Sequence, residues 1–206
     1  ASTVAVKSRM VNTGQSCIAA KRFIVQEGIA DAFLTKMKEK MQALKTGDPL
    51  TDNCDYGPLA RKDLAEELEQ QVQESVNKGA KVILEGGRQG KDSAYFSPMI
   101  IQDPKPGSPA YDDELFGPVA IVFVVKDEDE SIRIANDHRY GLAGTVFTSD
   151  KERGLKIARK VETGAMFVNA MVASTPEMPF GGIKKSGYGR ELSYIGIREF
   201  TNQKSI

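Results

Sequence analysis

The chain has 206 residues, 40% of them apolar and 27% charged, and 28 lysines and arginines balance 28 aspartates and glutamates. Those proportions suit one globular domain with a sizeable core better than two, and the balance leaves no basic excess for nucleic acid or an acidic membrane surface. No apolar run approaches the length of a membrane span and Ala1-Ser2-Thr3-Val4 is not a signal peptide, so the default compartment is the cytoplasm.

In chain order the first informative stretch is Asn12-Thr13-Gly14-Gln15-Ser16-Cys17, just ahead of the apolar run Phe23-Ile24-Val25. That placement puts a thiol on a turn between two elements, where it can be exposed. A thiol reacts as thiolate, which needs nearby positive charge or backbone N–H groups, and Arg9, Lys21 and Arg22 are close in sequence. Gly14 allows close backbone approach or a positive φ. From this stretch alone a small buried hydrophobe is the alternative reading of Cys17. The absence of an initiator methionine, with Cys17 so near the start, suggests a fragment of a longer protein.

Residues 20–26 read as a strand. Ile29, Phe33, Met37, Met41 and Leu44 then recur on one face of a helix of about four turns, stopped by Gly47-Asp48-Pro49 before a polar loop to Pro58. Leu64, Leu68, Val72 and Val76 mark a second helix ending at Gly79. Lys81 to Leu84 is a strand, and Phe96 to Ile101 another, which Pro98 demotes to an edge or an extended segment. Val119 to Val125 is a continuous apolar run, the mark of a central strand covered on both faces. Helix 129–138, strand 142–147, helix 150–162 and strand 164–168 follow, and 199–206 reads as a further strand. The alternation predicts an α/β fold: a three-layer, mostly parallel twisted sheet with helices on both faces. The irregular stretch 170–190 is long enough to be functional. Cys17 and Cys54 make no disulfide framework, and no Cys/His cluster has metal-ligand spacing. Cys54 reads as incidental, and His138, the only histidine, as a surface residue at a helix end.

Three segments together resemble the aldehyde dehydrogenase superfamily: Asn12 to Cys17, Glu114-Leu115-Phe116-Gly117-Pro118, and Pro179-Phe180-Gly181-Gly182 with Ser186-Gly187-Tyr188-Gly189-Arg190-Glu191. Ala20-Lys21-Arg22-Phe23-Ile24-Val25 and Phe180 to Glu191 are most similar to the bacterial succinate-semialdehyde dehydrogenases. The resemblance implies the fold of the C-terminal catalytic domain, with residues 1–198 as the cysteine-bearing domain and 199–206 as the start of an oligomerisation strand. It implies that Cys17 attacks an aldehyde to give a thiohemiacetal, then a thioester once hydride has passed to NAD or NADP. The oxyanion would meet the Cys17 N–H and an upstream asparagine, with an upstream glutamate as general base. Glu114 would hold the nicotinamide ribose and Phe116 pack beside that end of the cofactor. Phe180, Ser174 and Val11 would line the aldehyde pocket, and Glu191 would relay a proton or pair with Arg190. The full-length protein would be a homodimer or homotetramer acting on a small aldehyde.

Two departures qualify that picture. Val11 stands where many succinate-semialdehyde enzymes carry the arginine that grips the substrate carboxylate, leaving Ser174, Thr175 or residues outside this chain to do so. The dinucleotide-binding domain, the base and the oxyanion asparagine all lie upstream in the family, so the chain is expected to be inactive alone. A dehydrogenase of another substrate class, a cofactor-independent thiol protein and a non-catalytic binding domain remain alternatives.

Overall fold

The computed structural model describes residues 1–51 and 53–206; Asp52, within the polar loop expected before Pro58, lies outside the described residues. The chain divides into two compact units, Ala1–Ser131 and Ile132–Ile206, where length alone favours one.

The first unit opens with helix α1 (Ser2–Arg9), which apolar periodicity does not announce because its buried side mixes Ala5 and Val6 with Ser8 and Arg9. A 3₁₀ turn (Val11–Gly14) and the Cys17 turn lead into strand β1 (Arg22–Gln26) and helix α2 (Glu27–Gln42). Helix α3 (Lys62–Asn77) and strands β2 (Lys81–Leu84), β3 (Gly87–Arg88), β4 (Phe96–Ser97) and β5 (Met99–Gln102) follow. Helix α4 (Pro109–Asp112), strand β6 (Val119–Val125) and helix α5 (Glu128–Asn136) complete the run, α5 spanning the boundary between the units.

The main sheet has the order β1-β6-β5-β2, with β6 parallel to both neighbours and β2 antiparallel at the edge. The apolar run of β6 therefore lies inside the sheet, as expected, with Ile121 opposite Arg22 on one side and Ile101 on the other. Ala120 and Val122 join a core with Ala5 and Val6 of α1 and Ala30, Met37 and Met41 of α2. Phe123 belongs to the opposite face, where the Tyr111 ring of α4 meets it edge-on at 5.7 Å. The Ser75 hydroxyl of α3 accepts from the Ala110 N–H at 2.9 Å and joins α4 to α3. Helices thus cover both faces, and the α/β reading holds.

Three details differ from expectation. Residues 96–101 are not one edge strand: β4 pairs with β3, while β5 sits inside the main sheet. Pro98, with no N–H to give to a ladder, marks the point where the strand changes partners, and the Met99 N–H picks up the Pro118 carbonyl at 3.0 Å. On α2, Ile29 is exposed and Ala30 takes the buried position, since 30, 37 and 41 align on the face that carries Met37 and Met41. At the C-terminus, Ile197–Phe200 is a 3₁₀ turn, and no ladder among the described residues includes 201–206.

The second unit holds β7 (Tyr140–Gly141), β8 (Ala143–Val146), α6 (Lys151–Lys160), β9 (Ala165–Val168), β10 (Ile183–Lys184) and α7 (Ser193–Gly196). The predicted strand–helix–strand unit is present: β8 and β9 pair in parallel around α6, whose N-terminus is capped by the Asp150 carboxylate accepting from the Arg153 N–H at 3.0 Å. Its ladder is separate from the main sheet, and β10 pairs antiparallel with β7. Among the described residues no helix is long and apolar enough to cross a membrane.

Candidate active site

Cys17 is exposed on the turn between the 3₁₀ segment and β1, where its sequence context puts it. The backbone leading to it is unusual: Asn12, Thr13 and Gly14 have φ of 49°, 56° and 78° in succession. Residues with a Cβ avoid that region, so the surroundings must hold it. The Asn12 amide donates to the Gln15 carbonyl and the Gln15 amide to the Asn12 carbonyl, both at 3.1 Å, while Arg9 Nη2 donates to the Gly14 carbonyl at 2.7 Å. A Cβ on Gly14 would overlap the Gly117 carbonyl oxygen. The first two signature segments are therefore packed together, at a glycine on each side.

Residues 114–116 lie outside any helix or strand, and their burial alternates. Leu115 is fully buried, whereas Phe116 is 42% exposed and the Glu114 side chain 36% exposed. A partly exposed carboxylate beside a partly exposed aromatic ring suits the vicinal hydroxyls of a sugar that carries a flat heteroaromatic ring, the chemistry of a nicotinamide ribose.

The three cations near Cys17 in sequence have different places. Arg22 lies over the rings of Phe123, at 4.8 Å, and Tyr111, at 5.8 Å. Arg9 is fully buried, and burial pushes its guanidinium down to about 9 against the opposing pull of Glu114, so it is still charged at neutral pH. Lys21 alone of the three reaches the Cys17 turn. Its ammonium donates to the carbonyls of Ser16 (2.9 Å), Cys17 (3.2 Å) and Ala19 (3.1 Å) and pairs with Glu114 Oε1 at 2.8 Å. It also stands 5.4 Å from the centre of the Phe116 ring. Burial lowers its pKa, while the Glu114 hydrogen bond and charge, and more weakly Cys17, act to raise it. Sequence reasoning counts Lys21 only as a neighbouring charge; the available signal is a lysine after the apolar Ile18-Ala19-Ala20, one residue before a strand. Val11 is half-buried at the head of the 3₁₀ turn.

In the second unit Phe180 and Glu191 are brought together by reciprocal backbone bonds, each N–H donating to the other's carbonyl at 2.8 Å. The segment between them is thereby closed into a loop. Arg190 turns into that loop, with Nη1 on the carbonyls of Gly182 (2.7 Å) and Gly189 (3.0 Å), and the Glu191 residue is exposed. Ser174 is exposed on the irregular segment ahead of Phe180.

The aldehyde dehydrogenase family model matches residues 1–206. The chain belongs to the aldehyde dehydrogenase family. Among its family relatives, it is 43% identical over 202 residues to the succinate-semialdehyde dehydrogenase (NADP(+)) of Deinococcus radiodurans, covering 98% of this chain and 42% of that protein. It is 42% identical to the succinate semialdehyde dehydrogenase (NAD(P)+) Sad of Escherichia coli K12, over 98% of this chain and 44% of that one. Among solved structures, succinic semialdehyde dehydrogenase from Streptococcus pyogenes, in complex with NADP+ as the cofactor, superposes with a TM-score of 0.93 at 38% identity, covering 98% and 44% of the two chains. A salicylaldehyde dehydrogenase from Pseudomonas putida G7 gives the same TM-score at 36% identity, covering 98% and 42%. This member of the family thus spans less than half the length of these relatives.

The remaining candidates have local structural roles. The Cys54 thiol, half-buried, reaches the Asp48 carbonyl at 3.5 Å. His138, half-buried instead of solvated, accepts from the Tyr140 N–H at Nδ1, 3.2 Å away.

Proposed function

We propose that this chain is the cysteine-bearing catalytic part of a longer NAD(P)-dependent aldehyde dehydrogenase that converts succinate semialdehyde to succinate. The observation that carries the reading is the convergence on the Lys21 ammonium of an exposed thiol's turn and a half-exposed carboxylate, from segments about a hundred residues apart.

Cys17, as thiolate, forms a C–S bond to the aldehyde carbon while the carbonyl π pair moves to oxygen. The Cys17 N–H is the donor this chain offers that oxyanion. Glu114 accepts from the ribose hydroxyls and Phe116 packs beside the nicotinamide end. What a nicotinamide supplies when bound is a hydride acceptor. Once the C–H pair of that carbon has left as hydride and the oxyanion has re-formed the carbonyl, Cys17 holds the acyl group as a thioester. Water adds to its carbon and gives up its proton to a base, the C–S bond breaks and its electron pair returns to sulfur. Glu191 serves as proton relay, and Val11 of the first unit and Ser174 and Phe180 of the second are each assigned to contact the aldehyde. With a valine at position 11, the substrate carboxylate is held by Ser174, Thr175 or upstream residues. The full-length protein is a homodimer or homotetramer in which residues 199–206 pair across subunits.

Support for the substrate comes from the relatives named above, and the salicylaldehyde enzyme marks the competing class. The test is oxidation of succinate semialdehyde by the full-length gene product and its Cys17→Ala variant, followed at the nicotinamide absorbance. Activity lost with Cys17, and weaker on aromatic aldehydes, supports the proposal. Turnover that survives Cys17→Ala would overturn the mechanism, and a preference for aromatic aldehydes the substrate.

A further inference from the structure

The Lys21 side chain touches both signature segments of the first unit and has no role in the chemistry above. Three of its bonds go to carbonyls of the Cys17 turn and one to Glu114 Oε1. An ammonium has three hydrogens, so four acceptors use its full donor capacity. The Lys21 side chain is only 15% exposed, while its partner Glu114 is 36% exposed. The lysine is thus the anchored member of the pair, and the glutamate the one that reaches outward.

We infer that Lys21 is a positioning residue for the cofactor site: it holds Glu114 in one rotamer and ties that carboxylate to the Cys17 turn. Without it, Glu114 is free to rotate into solvent, and the cost of ordering it falls on ligand binding. This rests on the reading of Glu114 as a ribose ligand.

The experiment is fluorescence titration of the full-length protein with NADH and with NADPH, comparing wild type, Lys21→Met, Lys21→Arg, Glu114→Gln and the Lys21→Met/Glu114→Gln double variant. Loss of one hydrogen bond to a charged group predicts binding weakened about tenfold in Lys21→Met. Lys21→Arg, which keeps the charge, recovers most of it. The double variant binds no more weakly than Glu114→Gln alone, because the lysine acts through the glutamate. In turnover the KM for the dinucleotide rises and the KM for the aldehyde stays put, a split that general loosening would not produce. Should Lys21→Met fail to fold, Lys21→Gln carries the same comparison. Wild-type affinity in the Lys21 variant, or losses that multiply in the double variant, would overturn the positioning role. Wild-type affinity in Glu114→Gln would overturn the ribose reading and this inference with it.

Discussion

The Lys21 ammonium lies 2.8 Å from Glu114 Oε1 while it donates to the Cys17 carbonyl at 3.2 Å, so one cation joins the thiol's turn to the carboxylate. Residues ninety-three positions apart (114 less 21) share one electrostatic unit.

That unit makes a pH prediction. Burial holds Lys21 below the ordinary lysine value of 10.5 in the folded protein. Between the lowered value and 10.5, the unfolded chain binds more protons at this position than the folded one, so this group's contribution favours folding more strongly as pH rises. Dinucleotide binding moves the other way, because an uncharged amine loses its hold on Glu114. Denaturation and NADPH titration of wild type and Lys21→Met from neutral pH up to 10.5 read both slopes. The difference between the proteins isolates Lys21 from Arg9, Cys17 and Glu114 around it.

Gly14→Ala should cost about 2–4 kcal/mol of stability: a positive φ forced on alanine, plus a methyl group driven at the Gly117 carbonyl. Urea denaturation measures it, and a change under about 0.5 kcal/mol would mean the two segments are not in contact.

Leu115 and Phe116 are adjacent and should behave oppositely. Leu115→Ala empties a fully buried site and should destabilise by about 2–5 kcal/mol. Phe116→Ala, at a site that is 42% exposed, should cost only about 1–2 kcal/mol of stability yet weaken NADPH binding several-fold. Thermal melts and titrations on the same samples separate the two effects; a large loss of stability in Phe116→Ala would make it a core residue.

Cys17 is exposed and Cys54 half-buried, so brief treatment with iodoacetamide should label Cys17 first. Peptide mass spectrometry gives the ratio directly. Faster labelling of Cys54 would be incompatible with this turn.

Much of the fold is legible in the residues. The β6 run is apolar at every position because both faces are covered, and the stripes of α2 and α3 follow from the 3.6-residue period. Cys17 between a glycine and a strand reads as an exposed turn, and Glu114 to Pro118 as a motif, because local order and resemblance are properties of neighbouring residues. Tertiary structure alone decided which cation matters: Arg9, Lys21 and Arg22 are equivalent in sequence, yet one is buried on carbonyls, one lies over aromatic rings and one pairs with Glu114. It also decided that β5 is interior despite Pro98, and that α1 buries an arginine. Each of these depends on what lies opposite a residue in space. Partner choice over long sequence separations is set by packing and hydrogen-bond satisfaction, which a one-dimensional period does not encode.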